Sequence, residues 1–239
     1  PSGVSDGRPA SAWATESDAA SLTVLQGGFR TWSAQGLPER AEAVRRAAQR
    51  LTADAANLLR GHADQALTRL GDRELPGPTG ESNCLRLHAR GVFAVLAQGA
   101  LERDTAAAIG AALVAGNSVA LVDAAAGSAL RAAFVAAGVP TEAIELFDAQ
   151  ATGSVLRQPA LAGVCVVAGA ADFARQVLRV LADRDGAILP LVTGAEAQRA
   201  DMLWRFCAEQ TLTINTAAAG GNAELLAGAA MAAAEVNPA

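Results

Sequence analysis

The sequence contains no lysine, because all 19 of its basic residues are arginine. Enzymes that form a Schiff base and P-loop proteins that bind nucleotide phosphates both depend on a lysine. The chain also carries a net charge of -5, whereas nucleic-acid binding needs clustered cations. Lysine-based covalent catalysis and a P-loop are therefore excluded, and we expect no nucleic-acid partner.

Histidine and cysteine are also scarce. The histidines are His62 and His88, and the three cysteines, Cys84, Cys165 and Cys207, are widely spaced. This spacing does not match a metal site, and an odd number of cysteines does not build a disulfide framework. We therefore expect no metal ion and a reduced, cytoplasmic compartment.

The sequence predicts neither a membrane span nor a signal peptide. The longest uncharged run, from Thr105 to Val122, is rich in alanine and contains the turn signal Gly116-Asn117. It predicts a buried helix followed by a buried strand. Residues 1–19 have no apolar core and predict a linker. A chain that begins with proline also favours a fragment of a longer polypeptide.

Hydrophobic periodicity predicts an α/β, Rossmann-like fold, with a mainly parallel sheet and helices on both faces. Two helices are expected between Ala20 and His62, the second beginning near Pro38, followed by a loop over residues 72–83. A strand then turns at Arg90-Gly91. The sheet strands are expected at Val92–Ala97, Val119–Val122, Ile144–Phe147, Gly163–Val167 and Ile188–Val192. The later helices are expected at Asp104–Ala115, Ser128–Ala137, Ala171–Leu181 and residues 199–210.

Few residues are candidates for chemistry. Cys165 lies among valines in a predicted strand, which favours an inert buried thiol. His88 alternates with leucines and is expected at the surface, and His62 is expected at a helix end, where the dipole favours positive charge. A glycine turn before a helix at residues 166–174 could expose N–H groups to a phosphate. Asp172, near the start of that helix, would repel the anion.

Four segments resemble, in order, the cofactor-binding half of the aldehyde dehydrogenase superfamily. They are "GFRTWSAQGLPERAEAVRRAAQRL", "GPTGESNCLRLHARGVFAVL", "AAIGAALVAGNSVALV" and "LAGVCVVAGAADFARQVLRVLADRDGAILPLV". "GPTGESN", "ADRDGAILPL" and the ending "TLTINTAAAGGNAELL" are more specific and look like the proline utilization A family of bifunctional proline-catabolic enzymes. The resemblance runs from about Gly28 to Leu226.

The resemblance also shows which catalytic parts of that superfamily are replaced. The oxyanion segment has become Ala97–Arg103, and the lysine that binds the adenine ribose matches about Val122. The cofactor turn has become Val166–Ala171, and the general-base segment has become Val192–Ala197. No segment matches the domain that carries the nucleophilic cysteine. The resemblance therefore implies no catalytic and no cofactor-binding residues in this chain, with FAD and NAD bound elsewhere in the parent enzyme.

Long members of the family carry such a domain after their two catalytic domains. The resemblance implies that it docks on the catalytic aldehyde dehydrogenase domain, helps to cover the tunnel that channels the intermediate, and is not itself an enzyme. The alternative is an NAD-binding portion of an aldehyde dehydrogenase that retains its cofactor.

The stretch Thr211–Leu226 predicts how such docking would occur. Thr211, Thr213 and Asn215 alternate with Leu212 and Ile214, which favours an edge strand or an extended arm. We therefore expect a domain at residues 20–210, a β arm at residues 211–226 and a flexible tail at residues 227–239. The arm would pair with the catalytic aldehyde dehydrogenase domain of the same polypeptide, with that of a symmetry-related copy, or between two copies of this chain. The predicted interaction residues are Thr211, Leu212, Thr213, Ile214, Asn215, Thr216, Gly220, Gly221 and Asn222.

Overall fold

The computed structural model describes residues 22–167 and 171–215. Within that part of the chain, residues 22–71 and 88–208 form one compact unit, and residues 72–87 and 209–215 form a second. The predicted linker at residues 1–19 and the tail at residues 227–239 lie outside the described residues.

The N-terminal segment forms three helices rather than the two predicted. They are α1 (Thr23–Ser33), α2 (Leu37–Ala48) and α3 (Ala53–Arg69). Pro38 lies in the first turn of α2, where its missing N–H costs nothing. The second break, between α2 and α3, contains neither glycine nor proline, so its residues carry no strong turn signal.

The remaining strands and helices follow α3 in chain order. They are β1 (Arg73–Leu75), β2 (Glu81–Ala89), β3 (Val92–Leu96), α4 (Glu102–Val114), β4 (Ser118–Val122), α5 (Gly127–Ala136), β5 (Ile144–Phe147), α6 (Thr152–Arg157), β6 (Leu161–Val166), α7 (Ala171–Ala182), β7 (Leu191–Thr193), α8 (Gly194–Ala197) and β8 (Cys207–Asn215). Short 3-10 helices cover Thr141–Ala143, Ala149–Ala151 and Ala200–Phe206.

The larger unit is built on a five-stranded sheet with the order β5-β4-β3-β6-β7. Every neighbouring pair is parallel, and all residues of β3 and β4 are buried. Val92, Ala94 and Leu96 of β3 pack into a core with residues from α6 and α7. Phe93 faces the opposite way, with its ring centroid 5.0 Å from that of Phe206. The predicted parallel sheet flanked by helices is confirmed.

The fifth predicted strand was misplaced. The segment Ile188–Val192 was expected to be a strand, but β7 covers Leu191–Thr193, and the side chain of Ile188 is 98% exposed. Pro190 explains the difference, because proline cannot donate to a sheet ladder. Its carbonyl accepts a hydrogen bond from the amide of Val164 at 3.0 Å, and the strand begins immediately after it.

The smaller unit contains a second sheet with the order β1-β2-β8. Strand β1 pairs antiparallel with β2, with Glu74 opposite Cys84. The predicted loop over residues 72–83 was therefore wrong at both ends, because Arg73–Leu75 and the residues from Glu81 onward are strands. The prolines of the segment occupy only the connection between them.

The helix predicted over residues 199–210 was also too long. A 3-10 helix ends at Phe206, and the chain is extended from Cys207 onward. The carbonyl of Phe206 accepts from Asn117 and that of Cys207 accepts from Arg90. These tertiary contacts override the helical pattern of the local sequence.

The uncharged run at residues 105–122 forms most of α4, a turn and β4, and every residue in it is buried. Within the described ranges, no helix combines the length and the apolar character that a membrane crossing requires.

Candidate functional site

A cleft of about 120 Å³ lies at the carboxyl ends of β3 and β4. This is the end of an open parallel sheet at which ligands usually bind. The lining residues are Leu96, Ala97, Gln98, Val122, Asp123, Ala149, Thr152 and Phe173.

The lining of this cleft does not fit a dinucleotide. Among the described residues that line it, Asp123 alone has a charged side chain, so the lining offers no cation for the phosphates that such a cofactor carries. Sites for ligands of drug size are about 300–1,000 Å³ in volume, well above the volume of this cleft. Asp123 also has a φ of 53°, a left-handed conformation that aspartate tolerates better than most residues.

The start of α7 presents a second obstacle to phosphate binding. Asp172 lies in its first turn, and its carboxylate forms an exposed ion pair with the guanidinium of Arg175. An acidic side chain in the first turn already interacts with the helix dipole. The preceding residues 168–170, part of the glycine segment considered for phosphate binding, lie outside the described residues.

Glu196 lies in α8, which follows the carboxyl end of β7, and its side chain has a structural role. Its Oε2 atom accepts hydrogen bonds from the Thr193 amide at 2.8 Å and the Thr193 hydroxyl at 3.0 Å. The Thr193 hydroxyl in turn accepts from the Glu196 amide, which completes a capping box for α8. The Oε1 atom of Glu196 lies 3.4 Å from Nε of Arg205. Because both oxygens interact in this way, Glu196 is poorly placed to act as a general base.

The cysteines offer no evident nucleophile. Cys165 is fully buried in β6, and burial raises the pKa of its thiol, as predicted for an inert residue. Cys207 is buried as well, and Cys84 is half-buried. No group of three or more potential metal ligands occurs among the residues that the structure describes.

The two histidines differ in environment. His88 is exposed on β2, as expected. His62 was expected at a helix end, but α3 continues to Arg69 and the side chain of His62 is only 1% exposed. The dipole explanation is therefore wrong. Burial lowers the pKa of His62 to about 4, so the ring is neutral at pH 7.

Strand β8 contains the predicted interaction residues Thr211, Leu212, Thr213, Ile214 and Asn215. It is an edge strand of the smaller sheet in the described part of the chain, and all its residues from Glu209 onward are exposed. The side chain of Leu212 is 37% exposed and that of Ile214 is 53% exposed. The other predicted interaction residues, Thr216, Gly220, Gly221 and Asn222, lie outside the described residues.

Sequence reasoning missed the neighbour of this strand, which is β2. Oγ1 of Thr213 lies 2.6 Å from Oδ1 of Asn83, with the hydroxyl donating. The alternation of Leu85, Leu87 and His88 did predict that a strand exists there, but no local signal paired it with a segment more than 100 residues away.

The fold is that of the aldehyde dehydrogenase class. The solved structure of an NAD-dependent benzaldehyde dehydrogenase from Corynebacterium glutamicum matches with a TM-score of 0.60 and 18% identity, over 72% of this chain and 44% of that one. At this identity the match shows the fold alone. No protein-family model matches the sequence.

A more specific similarity is to the bifunctional protein PutA. This chain is homologous to a segment of that protein. The Escherichia coli protein is 34% identical over 154 residues, which are 64% of this chain and 11% of PutA. A solved structure of proline utilization A from Bradyrhizobium japonicum matches with a TM-score of 0.64 and 29% identity, over 72% of this chain and 21% of that one. The chain thus spans a small part of the proteins that it resembles.

Proposed function

We propose that this chain is a non-catalytic domain of a bifunctional enzyme that converts proline to glutamate. It docks through β8 on the catalytic aldehyde dehydrogenase domain, in the same polypeptide or in a symmetry-related copy, and helps to cover the tunnel that channels the intermediate. The parent enzyme supplies FAD and NAD from its other domains. The homology to PutA supports the enzyme class.

The exposed edge of β8 carries this proposal. Strand β8 has nine residues and is a terminal strand of the sheet β1-β2-β8 in the described part of the chain, and a terminal strand is a template for pairing with another sheet. The terminal strands of the other sheet are poorer edges, because Nε of Arg131 donates to the carbonyl of Ile144 in β5 at 2.8 Å and Nη2 of Arg205 donates to the carbonyl of Leu191 in β7 at 3.0 Å. The edge of β8 also presents Leu212 and Ile214, whose exposed apolar surface a partner would bury.

The remains of the dehydrogenase fold support a role without chemistry. The cleft at the carboxyl ends of β3 and β4 contains the Asp123 carboxylate and no cation that could bind a phosphate among its described lining residues. The side chain of Glu196 caps α8. Cys165 is an inaccessible thiol. In this proposal the framework of the cofactor domain is retained, and Glu196 and Cys165 stabilise it.

A substitution on β8 tests the docking proposal in the full-length enzyme. We expect Ile214→Arg to reduce proline-dependent NADH formation about fivefold, because burying the rest of this half-exposed side chain is worth about 1 kcal/mol. Proline oxidation measured with an artificial electron acceptor is expected to stay unchanged. Ile188→Arg is the matched control, since Ile188 is an isoleucine that is 98% exposed and is not part of β8. Equal NADH formation in both variants and the parent would contradict docking through β8.

A melting experiment distinguishes the alternative, in which the domain retains NAD. A ligand at about 100 times its dissociation constant stabilises a protein by about 2.7 kcal/mol, equivalent to about 5–10 °C for a domain of this size. We expect millimolar NAD to leave the melting temperature of this chain unchanged. An increase of several degrees that is lost in Phe173→Ala, which changes a residue that lines the cleft, would instead show that the cleft binds the cofactor.

A further inference from the structure

Asn117 is a fully buried amide at the turn between α4 and β4. Its Oδ1 atom accepts from the amides of Arg90 at 2.8 Å and Gly91 at 3.1 Å. Its Nδ2 atom donates to the carbonyls of Phe206 at 2.9 Å and Ala112 at 3.2 Å. One side chain therefore uses its full hydrogen-bonding capacity to join three segments that are distant in sequence.

Two of these segments adjoin the strands β2 and β8 of the second sheet. Strand β2 ends at Ala89, immediately before Arg90, and β8 begins at Cys207, immediately after Phe206. A further bond joins the same two points, because Nε of Arg90 donates to the carbonyl of Cys207 at 2.7 Å. The side chains of Asn117 and Arg90 thus form hydrogen bonds that connect the end of β2 with the start of β8.

The residues of β8 provide little to fix their own register. A strand with one buried face resists slippage, because a shift by one residue would expose its apolar side chains. In β8 the residues from Glu209 to Asn215 are exposed on both faces, so a slip costs little burial. It would nevertheless exchange the positions of Leu212 and Ile214 with those of the neighbouring polar side chains.

We propose that Asn117 and Arg90 are positioning residues that set the register of β8 against β2. By fixing the first residues of β8, they determine which of its side chains lie on each face of the edge strand. The fixed register keeps Leu212 and Ile214 on one face and Thr213 beside Asn83. The functional value of this register rests on the docking role proposed for β8.

Cysteine cross-linking measures the register directly. In a Cys84→Ser background, Asn83→Cys is combined with Thr213→Cys to report the register in which Thr213 contacts Asn83, or with Ile214→Cys to report a slip by one residue. We expect the first pair to oxidise in preference to the second. Arg90→Met removes the hydrogen bond that the charged guanidinium donates to the carbonyl of Cys207. Because this bond is partly exposed, we expect its loss to lower the preference about fivefold.

Three further variants make this test decisive. Arg90→Lys retains a donor and is expected to restore the preference, and Arg60→Met, which removes an exposed arginine bonded to Asn57, is expected to leave it unchanged. Asn117→Ser removes the neighbouring bonds to the Arg90 amide and the Phe206 carbonyl and is expected to lower the preference as well. An unchanged preference in Arg90→Met would overturn the proposal.

The same Arg90→Met variant in the full-length enzyme separates this inference from the docking role. A lowered cross-linking preference together with reduced proline-dependent NADH formation supports both. A lowered preference with unchanged NADH formation keeps the positioning role and argues against docking through β8. An unchanged preference overturns the positioning role and leaves the docking proposal to its own test.

Discussion

Replacing Gly28 with alanine is expected to lower the free energy of unfolding by about 3 kcal/mol. Gly28 is buried on α1, between Leu25 and Trp32, against the 3-10 helix Thr141–Ala143. A Cβ atom at Gly28 would lie 2.1 Å from the carbonyl oxygen of Glu142. Since that atom belongs to the backbone, α1 must move away, and overpacking of this kind costs about 1–3 kcal/mol or more. Thermal or chemical unfolding monitored by circular dichroism measures the loss.

The adjacent glycine supplies a matched control. A Cβ atom at Gly27 would meet no atom of the described residues within 4 Å, and replacing glycine by alanine inside a helix stabilises it by about 0.5–1 kcal/mol. We therefore expect Gly27→Ala to raise the free energy of unfolding and Gly28→Ala to lower it. Equal effects of the two substitutions would show that α1 and the 3-10 helix do not pack as closely as described.

This pair of glycines shows where sequence reasoning stops. Short, continuous apolar runs such as Val92–Ala97 and Val119–Val122 predicted the parallel sheet, because strands buried on both faces require them. The helical spacing of Leu25, Gly28 and Trp32 indicates that Gly28 lies on the buried face of α1, but only the position of the Glu142 backbone shows that a Cβ atom has no room there. Long-range packing of this kind leaves no local pattern.

The candidate site was partly predictable for a similar reason. The alternation around Leu212 and Ile214 correctly indicated a strand with a polar face. It could not indicate that the strand begins at Cys207, because Arg90 and Asn117 fix that point from distant positions in the chain. Likewise, Glu196 is an ordinary acidic residue in the sequence, and only its bonds to Thr193 reveal a cap.

Acidification is expected to destabilise the protein through His62. The ring lies on α3 against α4, where a Cβ atom at Gly110 would be 3.5 Å from its Nδ1 atom. Within the described part of the chain, neither ring nitrogen makes a hydrogen bond of ordinary geometry. Burial lowers the pKa of His62 from 6.5 to about 4, and the nearby backbone of Ala197 and Gln198 offsets only part of that effect. A protonated His62 would be a charge without adequate solvation inside the fold.

The direction of the pH dependence follows from the two pKa values. The unfolded chain binds a proton at His62 below pH 6.5, whereas the folded chain does so only near pH 4. The contribution of the neutral His62 ring to the free energy of unfolding is therefore complete above pH 6.5. It is lost as the pH falls towards 4, and the total loss is about 3 kcal/mol. Urea unfolding at pH 7.5 and pH 4.5 measures most of this change.

A variant without the titrating ring isolates the contribution of His62 from that of the carboxylates. His62→Leu places an apolar side chain of similar size among Leu59 and the alanines of α3 and α4, and it stays neutral at every pH. We expect it to be less sensitive to acid than the parent chain by about 2–3 kcal/mol between pH 7.5 and pH 4.5. His88→Leu, at an exposed position on β2, should retain the full dependence. If His62→Leu and the parent chain lost equal stability over this range, the ring would have to reach solvent or a partner when protonated, and the packing of α3 on α4 would have to open to admit it.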